Sequence, residues 1–486
     1  MKRAALFTAI ILVAVLLVGC AEKVRMREEQ PRIESLPETE YHITAELLPK
    51  EHLLALTTEI DYSAPIDGIS SVKFRLYPNA YEEGHPVVPE DRLAAAYPRG
   101  ILSYGNAEIL SISSDIPITD SDIGQNDLLL TVRLARELER GERVHFSIIE
   151  RVTLANVKHR LGYYGGYYYL SNFYPEVCPF VGGKYVSYDY TPYGDPFRFD
   201  NASFSLDLTL PTGYVCASGA EELHRETQGG KTIYSFAAKG TREIAVVTSQ
   251  KMRCLSCEDS GRKLSYYYEV GTNRDKILSF IADAIAYYEE QFGAYPYVGY
   301  SVVVAPFFES GVEHSGMSVL SSDLSFAHLK KAILHETAHQ WWFGKVGNDE
   351  YMTAWLDEGL AEYSVAAYYT AKGFTAITRE MIGDAEDAYA IRLALKGSDG
   401  VRFDLPLSEM SEGYYDRVYA GGFLLFFALS ERYGIERFHS ALHCFADRCH
   451  GCVATADDLI LSLTDSLGED PSSLLRAWLR GTVPIQ

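Results

Sequence analysis

The spacing of hydrophobic residues changes once along this chain, near residue 272, and that change limits the fold more than any other feature. Before it, apolar residues recur at every second position. Val72, Phe74 and Leu76 alternate with Ser71, Lys73 and Arg75, and Phe204, Leu206, Leu208 and Leu210 alternate with Ser205, Asp207 and Thr209. This period describes strands buried on one face. The stretches 128–134, 144–152, 232–236 and 244–248 read the same way, and Pro211-Thr212-Gly213 and Gly229-Gly230 supply turns. After residue 272 the period lengthens. Ile277, Ile281, Ile285, Tyr288 and Phe292 share one helical face ahead of Gly293. A strand at 301–305 follows, then helices at about 327–343, 357–371, 375–395 and 420–433. A β half precedes a mostly helical half, an α+β chain of two domains, as expected for 486 residues.

The first twenty residues stand apart. Lys2 and Arg3 precede an apolar run, Ala4 to Val18, which is short for a membrane span and fits a secretory signal. It ends in Leu17-Val18-Gly19-Cys20, which resembles the lipobox of bacterial lipoproteins, whose cysteine is lipidated. A polar tether, Arg27-Glu28-Glu29-Gln30-Pro31 among it, runs to about residue 40. The expected organisation is signal 1–20, tether 21–40, β domain 41–272 and a mostly helical domain 273–486. It implies a protein held by lipid on the outer face of a bacterial cell membrane.

A formal net charge of −22 argues against nucleic acid as a partner, and nothing points to a protein partner. Seven cysteines remain after Cys20. The pairs Cys254/Cys257 and Cys449/Cys452 have metal-knuckle spacing but lie about 190 residues apart in sequence. Local disulfides or buried thiols fit them better than a second metal. The tyrosine-rich stretch 163–174 is expected to pack with its hydroxyls at the surface.

The chemistry concentrates in His335-Glu336-Thr337-Ala338-His339. Helix positions four apart share a face, so both imidazoles can reach one ion at about 2.0–2.1 Å. Imidazole and four-coordination suit zinc, one ion per chain. Glu336 stands one position round from His335, placed to take a proton from water without ligating. A third ligand is available on a second helical segment, Trp355 to Tyr363.

These motifs resemble the gluzincin aminopeptidases of the membrane alanyl aminopeptidase and leukotriene hydrolase type. That family reads HExxH, then 18 residues, then Glu. Here residues 340–357 number 18 and Glu358 comes next. His335 to Trp342 resembles the family's HELAHQW, and Asp357-Glu358-Gly359-Leu360-Ala361 its NEGFA. The resemblance implies zinc held by His335, His339 and Glu358, with Glu336 as general base. Gly311-Val312-Glu313-His314-Ser315-Gly316 resembles the GxMEN loop, departing at Val312 and His314. It implies that Gly311 and Glu313 bind substrate, Glu313 through the free α-amine, with Glu309 able to assist or substitute. Tyr419-Ala420-Gly421-Gly422 resembles YxKG with Gly421 for the lysine, and implies that Tyr419 stabilises the oxyanion. Tyr414 and Tyr415 are nearby rivals. Asn172-Phe173-Tyr174-Pro175 and Gly194-Asp195-Pro196 resemble segments of the family's β domain.

The implied fold is a β-sandwich-like domain followed by a thermolysin-like catalytic domain. Only 67 residues follow Tyr419, too few for the large helical domain of long members. Glu362, one turn beyond Glu358, can accept from a ligand histidine's other N–H. The expected activity is removal of N-terminal residues from peptides. Alternatives on the same residues are a zinc endopeptidase or other zinc hydrolase, and a non-catalytic binding lipoprotein.

Overall fold

The computed structural model describes residues 38–85, 87–270 and 276–483. The expected signal with Cys20, residues 21–37 of the tether and the point of change at 272 lie outside the described residues. Thr39 and Glu40, assigned above to the tether, open the first strand, Thr39–Leu48. Its alternation of buried and open residues pairs it with strands on both sides.

Strands of period two build the β half. Seven form one sheet in the order Glu221–Gln228, Lys231–Thr241, Ala202–Pro211, Thr39–Leu48, Leu53–Ser63, Arg143–Thr153, Asn106–Ser114. Four form a second: Glu176–Val177, Ile69–Arg75, Leu129–Leu138, Ile118–Gly124. Their inner faces share one core, in which the Phe74 and Phe146 rings meet edge to face at 5.2 Å. This is a sandwich.

A third sheet, Val215–Ser218, Val246–Ser249, Tyr167–Leu170 and Leu161–Tyr164, faces the catalytic half. Here the tyrosines depart from expectation. Tyr167, Tyr168, Tyr169 and Tyr174 are buried, and their hydroxyls bond inside the protein, Tyr168 to Pro49 O at 3.0 Å and Tyr167 to Glu269 at 3.2 Å. A sheet lying between two other layers leaves neither face for solvent.

The catalytic half is built on a five-stranded sheet in the order Arg253–Asp259, Arg262–Tyr268, Gly299–Ala305, Met317–Ser321, Gly311–His314. The two strands before residue 272 belong to it, so the change of period there marks a change of secondary structure inside one folded layer. One face packs on the third sheet through Val303, Val312 and Val319. The other packs on helices through Tyr300, Val302, Val304 and Leu320. Burial on both faces explains the unbroken valines of 302–304.

Helix α1, Ile277–Phe292, buries its isoleucine face on that sheet and ends at Gly293 (φ +88°). Then come α2 (Phe326–Ala338), α3 (Glu350–Ala371), α4 (Thr375–Val401), α5 (Gly422–Tyr433), α6 (Ile435–Arg448), α7 (Ala456–Leu467) and α8 (Ser472–Leu479). Helix α2 stops at Ala338, short of the expected Phe343. Beyond it Gly344 N, Lys345 N and Val346 N donate five residues back, to His339 O, Gln340 O and Trp341 O, and the chain turns away. All seven cysteines among the described residues are thiols. Cys178, Cys216 and Cys449 are buried.

Candidate metal and substrate site

Helix α2 starts at Ser325, whose hydroxyl accepts from His328 N at 3.3 Å. Its buried Leu329 and Ile333 fix its rotation, which leaves His335 and Glu336 toward a cleft, with His339 just past the last turn. Trp341 Nε1 donates to Gly293 O at 2.7 Å, and Trp342 Nε1 to Ser364 Oγ on α3 at 3.0 Å. The two indoles thereby set the spacing of α1, α2 and α3.

Helix α3 begins at Glu350, seven residues ahead of the expected start, and Asp349 before it caps Met352 N at 3.2 Å. A kink at Thr353 (φ −141°) redirects it before Glu358. Gly359 meets Gly422 at the head of α5, backbone on backbone. A Cβ on Gly359 would stand 2.8 Å from Gly422 C. This approach carries the π-helical turn Asp416–Gly421, and Tyr419 with it, to Glu358.

Three ligand-type atoms converge. His335 Nε2 lies 3.0 Å from His339 Nε2 and 3.0 Å from Glu358 Oε2, and His339 Nε2 lies 3.4 Å from Glu358 Oε2. His339 Nδ1 bonds Trp342 O at 2.9 Å, and His335 Nδ1 lies 3.1 Å from Glu362 Oε1 at ion-pair distance. Those acceptors favour protons on Nδ1, so two Nε2 lone pairs face each other and a carboxylate oxygen, an arrangement suited to a cation at their centre. A tetrahedral ion with ligands at about 2.0–2.1 Å requires ligand separations of about 3.3 Å, close to those found. The residues therefore fit a metal ion. Burial opposes ionisation of Glu358, but His339 and His335 outweigh it and hold the carboxyl well below its usual range.

Tyr419 OH donates to Glu358 Oε1 at 2.6 Å. Gly421 packs against Phe403, where a Cβ would stand 2.9 Å from the ring, so this chain has no room for the lysine of YxKG. Tyr414 is also buried, beside Gly194, and its hydroxyl has no hydrogen-bond partner among the described residues. Tyr415 is 46 % exposed. All three tyrosines line the cleft.

Gly311 to His314, expected as a loop, form an edge strand antiparallel to Met317–Ser321, turned through Gly316 (φ +72°). Glu313 is buried on it. A Cβ on Gly311 would land on the Glu336 carboxylate, so glycine there leaves the base its place. The turn is held from two sides. Gln340 bonds His314 O and Gly316 N, and Glu243 Oε1 accepts from Ser315 N at 2.9 Å. Burial pushes Glu313 up to about 7 against the pull of His339, and Glu336 up to about 8 against His335.

The cleft has a volume of about 510 Å³. It brings together His335, Glu336, Glu358, Glu313, Gly311 and Tyr419, with His339 just behind. It also holds residues the sequence reasoning did not assign to the site. Arg160 and Asp195, from the β half, form an ion pair in its wall. Asp195 stood in a segment noted for resemblance, whereas Arg160 carried no signal. Lys331 pairs with Glu362 at 3.2 Å. The arrangement offers a cation seat, a carboxylate base beside it, hydroxyl donors and an acidic pocket along an edge strand.

Residues 278–478 match the peptidase family M1 domain. Aminopeptidase N of Escherichia coli (strain K12) is 25% identical over 247 residues, 46% of this chain and 28% of that protein. Aminopeptidase M1-A of Oryza sativa subsp. japonica is 23% identical over 302 residues, 57% of this chain and 34% of that protein. The chain spans about a third of the length of such curated relatives. The M1 zinc metallopeptidase of Deinococcus radiodurans superposes with a TM-score of 0.67 at 17% identity, covering 93% of this chain and 95% of that one. A mutant of that protein bound to a Tyr-Ser-Ala substrate superposes equally well. The segment that matches the peptidase family M1 domain is the one that carries the three converging ligand atoms.

Proposed function

We propose that this chain is an aminopeptidase that works with one zinc ion held by His335, His339 and Glu358, on peptides with a free N-terminus. The observation that carries the reading is the convergence of His335 Nε2, His339 Nε2 and Glu358 Oε2 within 3.4 Å of one another, beside a buried Glu336 and an edge-strand Glu313. Zinc, when bound, supplies Lewis acidity to the scissile carbonyl and makes water acidic enough to lose a proton near neutral pH. Glu336 takes that proton and hands it to the departing amine. Tyr419 donates its hydroxyl hydrogen to the developing oxyanion. Glu313 pairs with the α-ammonium, which marks a chain's end and is absent from its middle. The relatives' printed activity, aminopeptidase, supports this reading.

The test uses three variants. His339→Ala loses metal and hydrolysis together. Glu336→Gln keeps one zinc per chain and loses nearly all turnover, because the ligands survive and the base does not. Glu313→Ala lowers kcat/KM on free-amine substrates by about 2–5 kcal/mol, as when a charge pair loses one member. Full turnover by Glu336→Gln would sink the mechanism. Rapid internal cleavage of N-acetylated peptides, unchanged in Glu313→Ala, would instead establish an endopeptidase.

We further propose that the enzyme is anchored by lipid at Cys20 on the outer face of the cell membrane. The support is the run Ala4 to Val18 ending in Leu17-Val18-Gly19-Cys20. Among the described residues no helix is long and apolar enough to cross a membrane. The full chain should sediment with membranes and incorporate a fatty-acid label, and Cys20→Ser should abolish both. Wild-type protein found wholly in the soluble cytoplasmic fraction refutes the anchor.

A further inference from the structure

The cleft walls hold more carboxylates than the proposed reaction uses. Asp195 is paired with Arg160, Glu362 with Lys331 and His335, and Glu358 with both histidines and Tyr419. Glu336 and Glu313 have roles in the proposed chemistry. Glu309 lines the same cleft and makes no hydrogen bond or ion pair among the described residues.

Its position is fixed by its neighbours. Phe308 N donates to Lys158 O at 3.2 Å, Ser321 Oγ donates to Phe307 O at 2.9 Å, and Ser321 N donates to Ser310 O at 3.0 Å. The turn that presents Glu309 is thus tied to the β half on one side and to the end of the Met317–Ser321 strand on the other. A charge held on a rigid turn selects ligands better than one on a mobile loop. Its surroundings supply too little positive charge to favour the ionised carboxylate. Burial pushes the carboxyl up to about 8, Arg160 pulls it down, and Asp195 and Glu313 push it up again. Arg160, the cation that acts on it, is already committed to Asp195.

We infer that Glu309 receives the side chain of the substrate's first residue and selects peptides that begin with lysine or arginine. The inference rests on the aminopeptidase reading above. If Glu313 holds the α-ammonium, the side chain leaves the same Cα and enters the space beside Glu313. Glu309 stands four residues back along the same segment, within electrostatic reach of Glu313. A long cationic side chain supplies the partner that Glu309 lacks, and a charge-assisted bond inside a cleft is a strong one. Arg92, on the exposed rim of the same cleft, carries the opposite preference, for acidic first residues.

The experiment compares kcat/KM for zinc-loaded enzyme on lysyl, arginyl, norleucyl and glutamyl substrates with one leaving group. Lysine and norleucine differ by a terminal ammonium on a chain of nearly equal length. The lysyl-to-norleucyl ratio should be about tenfold or more in wild type, and Glu309→Gln should reduce it by about the same factor. L-lysine should also compete with substrate more tightly than L-norleucine, which wild-type protein alone can show if the variant fails to fold. A ratio near one overturns the proposal, and so does a glutamyl preference, which would make Arg92 the determinant. An equal loss on both substrates in Glu309→Gln overturns it too, by showing that Glu309 serves the α-ammonium. No hydrolysis of any free-amine substrate overturns the aminopeptidase reading and this proposal with it.

Discussion

Gln340 Nε2 donates to His314 O at 3.1 Å, while its Oε1 accepts from Gly316 N at 2.9 Å. One side chain, next in sequence to His339, therefore sets the height of the edge strand that bears Glu313 against the helix that bears His335 and Glu336. Both backbone groups are buried and depend on this amide.

Gln340→Leu removes both bonds without adding bulk. With two buried backbone groups unpaired, the unfolding free energy should fall by about 2–4 kcal/mol. KM for free-amine peptides should rise more than kcat falls, because Glu313 moves while the base does not. Urea unfolding and steady-state kinetics check this. Unchanged values in both would show that the two bonds position nothing.

Tyr419→Phe keeps the ring against His335, stacked at 5.9 Å, and deletes the hydroxyl bonded to Glu358. Loss of an oxyanion donor should lower kcat by about 100–1,000-fold with metal content unchanged. If kcat holds, Tyr414, buried with an unbonded hydroxyl in the same cleft, is the donor, and Tyr414→Phe should show the loss instead.

Glu150 lies in the sandwich core at 1% exposure, beside Leu56 and Ile109 on the adjoining strands, with neither carboxylate oxygen bonded among the described residues. Burial pushes its carboxyl well above the usual range. The folded state therefore keeps the proton after the unfolded chain has released it, and stability falls as pH rises above about 4. Glu150→Leu should raise stability by about 1–3 kcal/mol. The gain should be smaller at pH 4 than at pH 8, as thermal unfolding at the two values can show. A gain that shrinks with rising pH would contradict the assignment.

Arg242 is buried and donates to three carbonyls, Phe343 O at 3.0 Å, Phe199 O at 3.2 Å and Cys452 O at 2.7 Å. It fastens the turn after the metal helix to the β half and to the turn after α6. Arg242→Met should cost at least about 3 kcal/mol, since three acceptors lose their donor. A shift in the urea midpoint measures it. An unmoved midpoint would mean that solvent replaces the guanidinium.

What the sequence showed depended on how local each feature is. Helix α1 was readable end to end because five apolar residues repeat on one face and a glycine stops it. The convergence of His335, His339 and Glu358 was readable because two of the three are one turn apart and the third sits at a fixed spacing. Gly311–His314 escaped, since four residues that begin with a glycine carry too little alternation, and pairing with Met317–Ser321 makes them a strand. Arg160 and Asp195 lie 35 positions apart with several short strands between them, and their contact is made by packing alone. The tyrosines of 163–174 misled because a middle layer buries both of its faces, which no local pattern announces.

Two strands that precede the change of period, Arg253–Asp259 and Arg262–Tyr268, extend the sheet whose other end bears Glu313, and Arg262–Tyr268 joins Gly299–Ala305 in parallel register. The visible seam in the sequence is therefore not a seam in the molecule. A fragment cut there would leave Gly299–Ala305 with a bare row of amide and carbonyl groups, an invitation to self-association. It would also strip the support beneath the strand that carries Glu313. Exchange of whole domains between relatives, or trimming to a minimal enzyme, would have to cut ahead of residue 253.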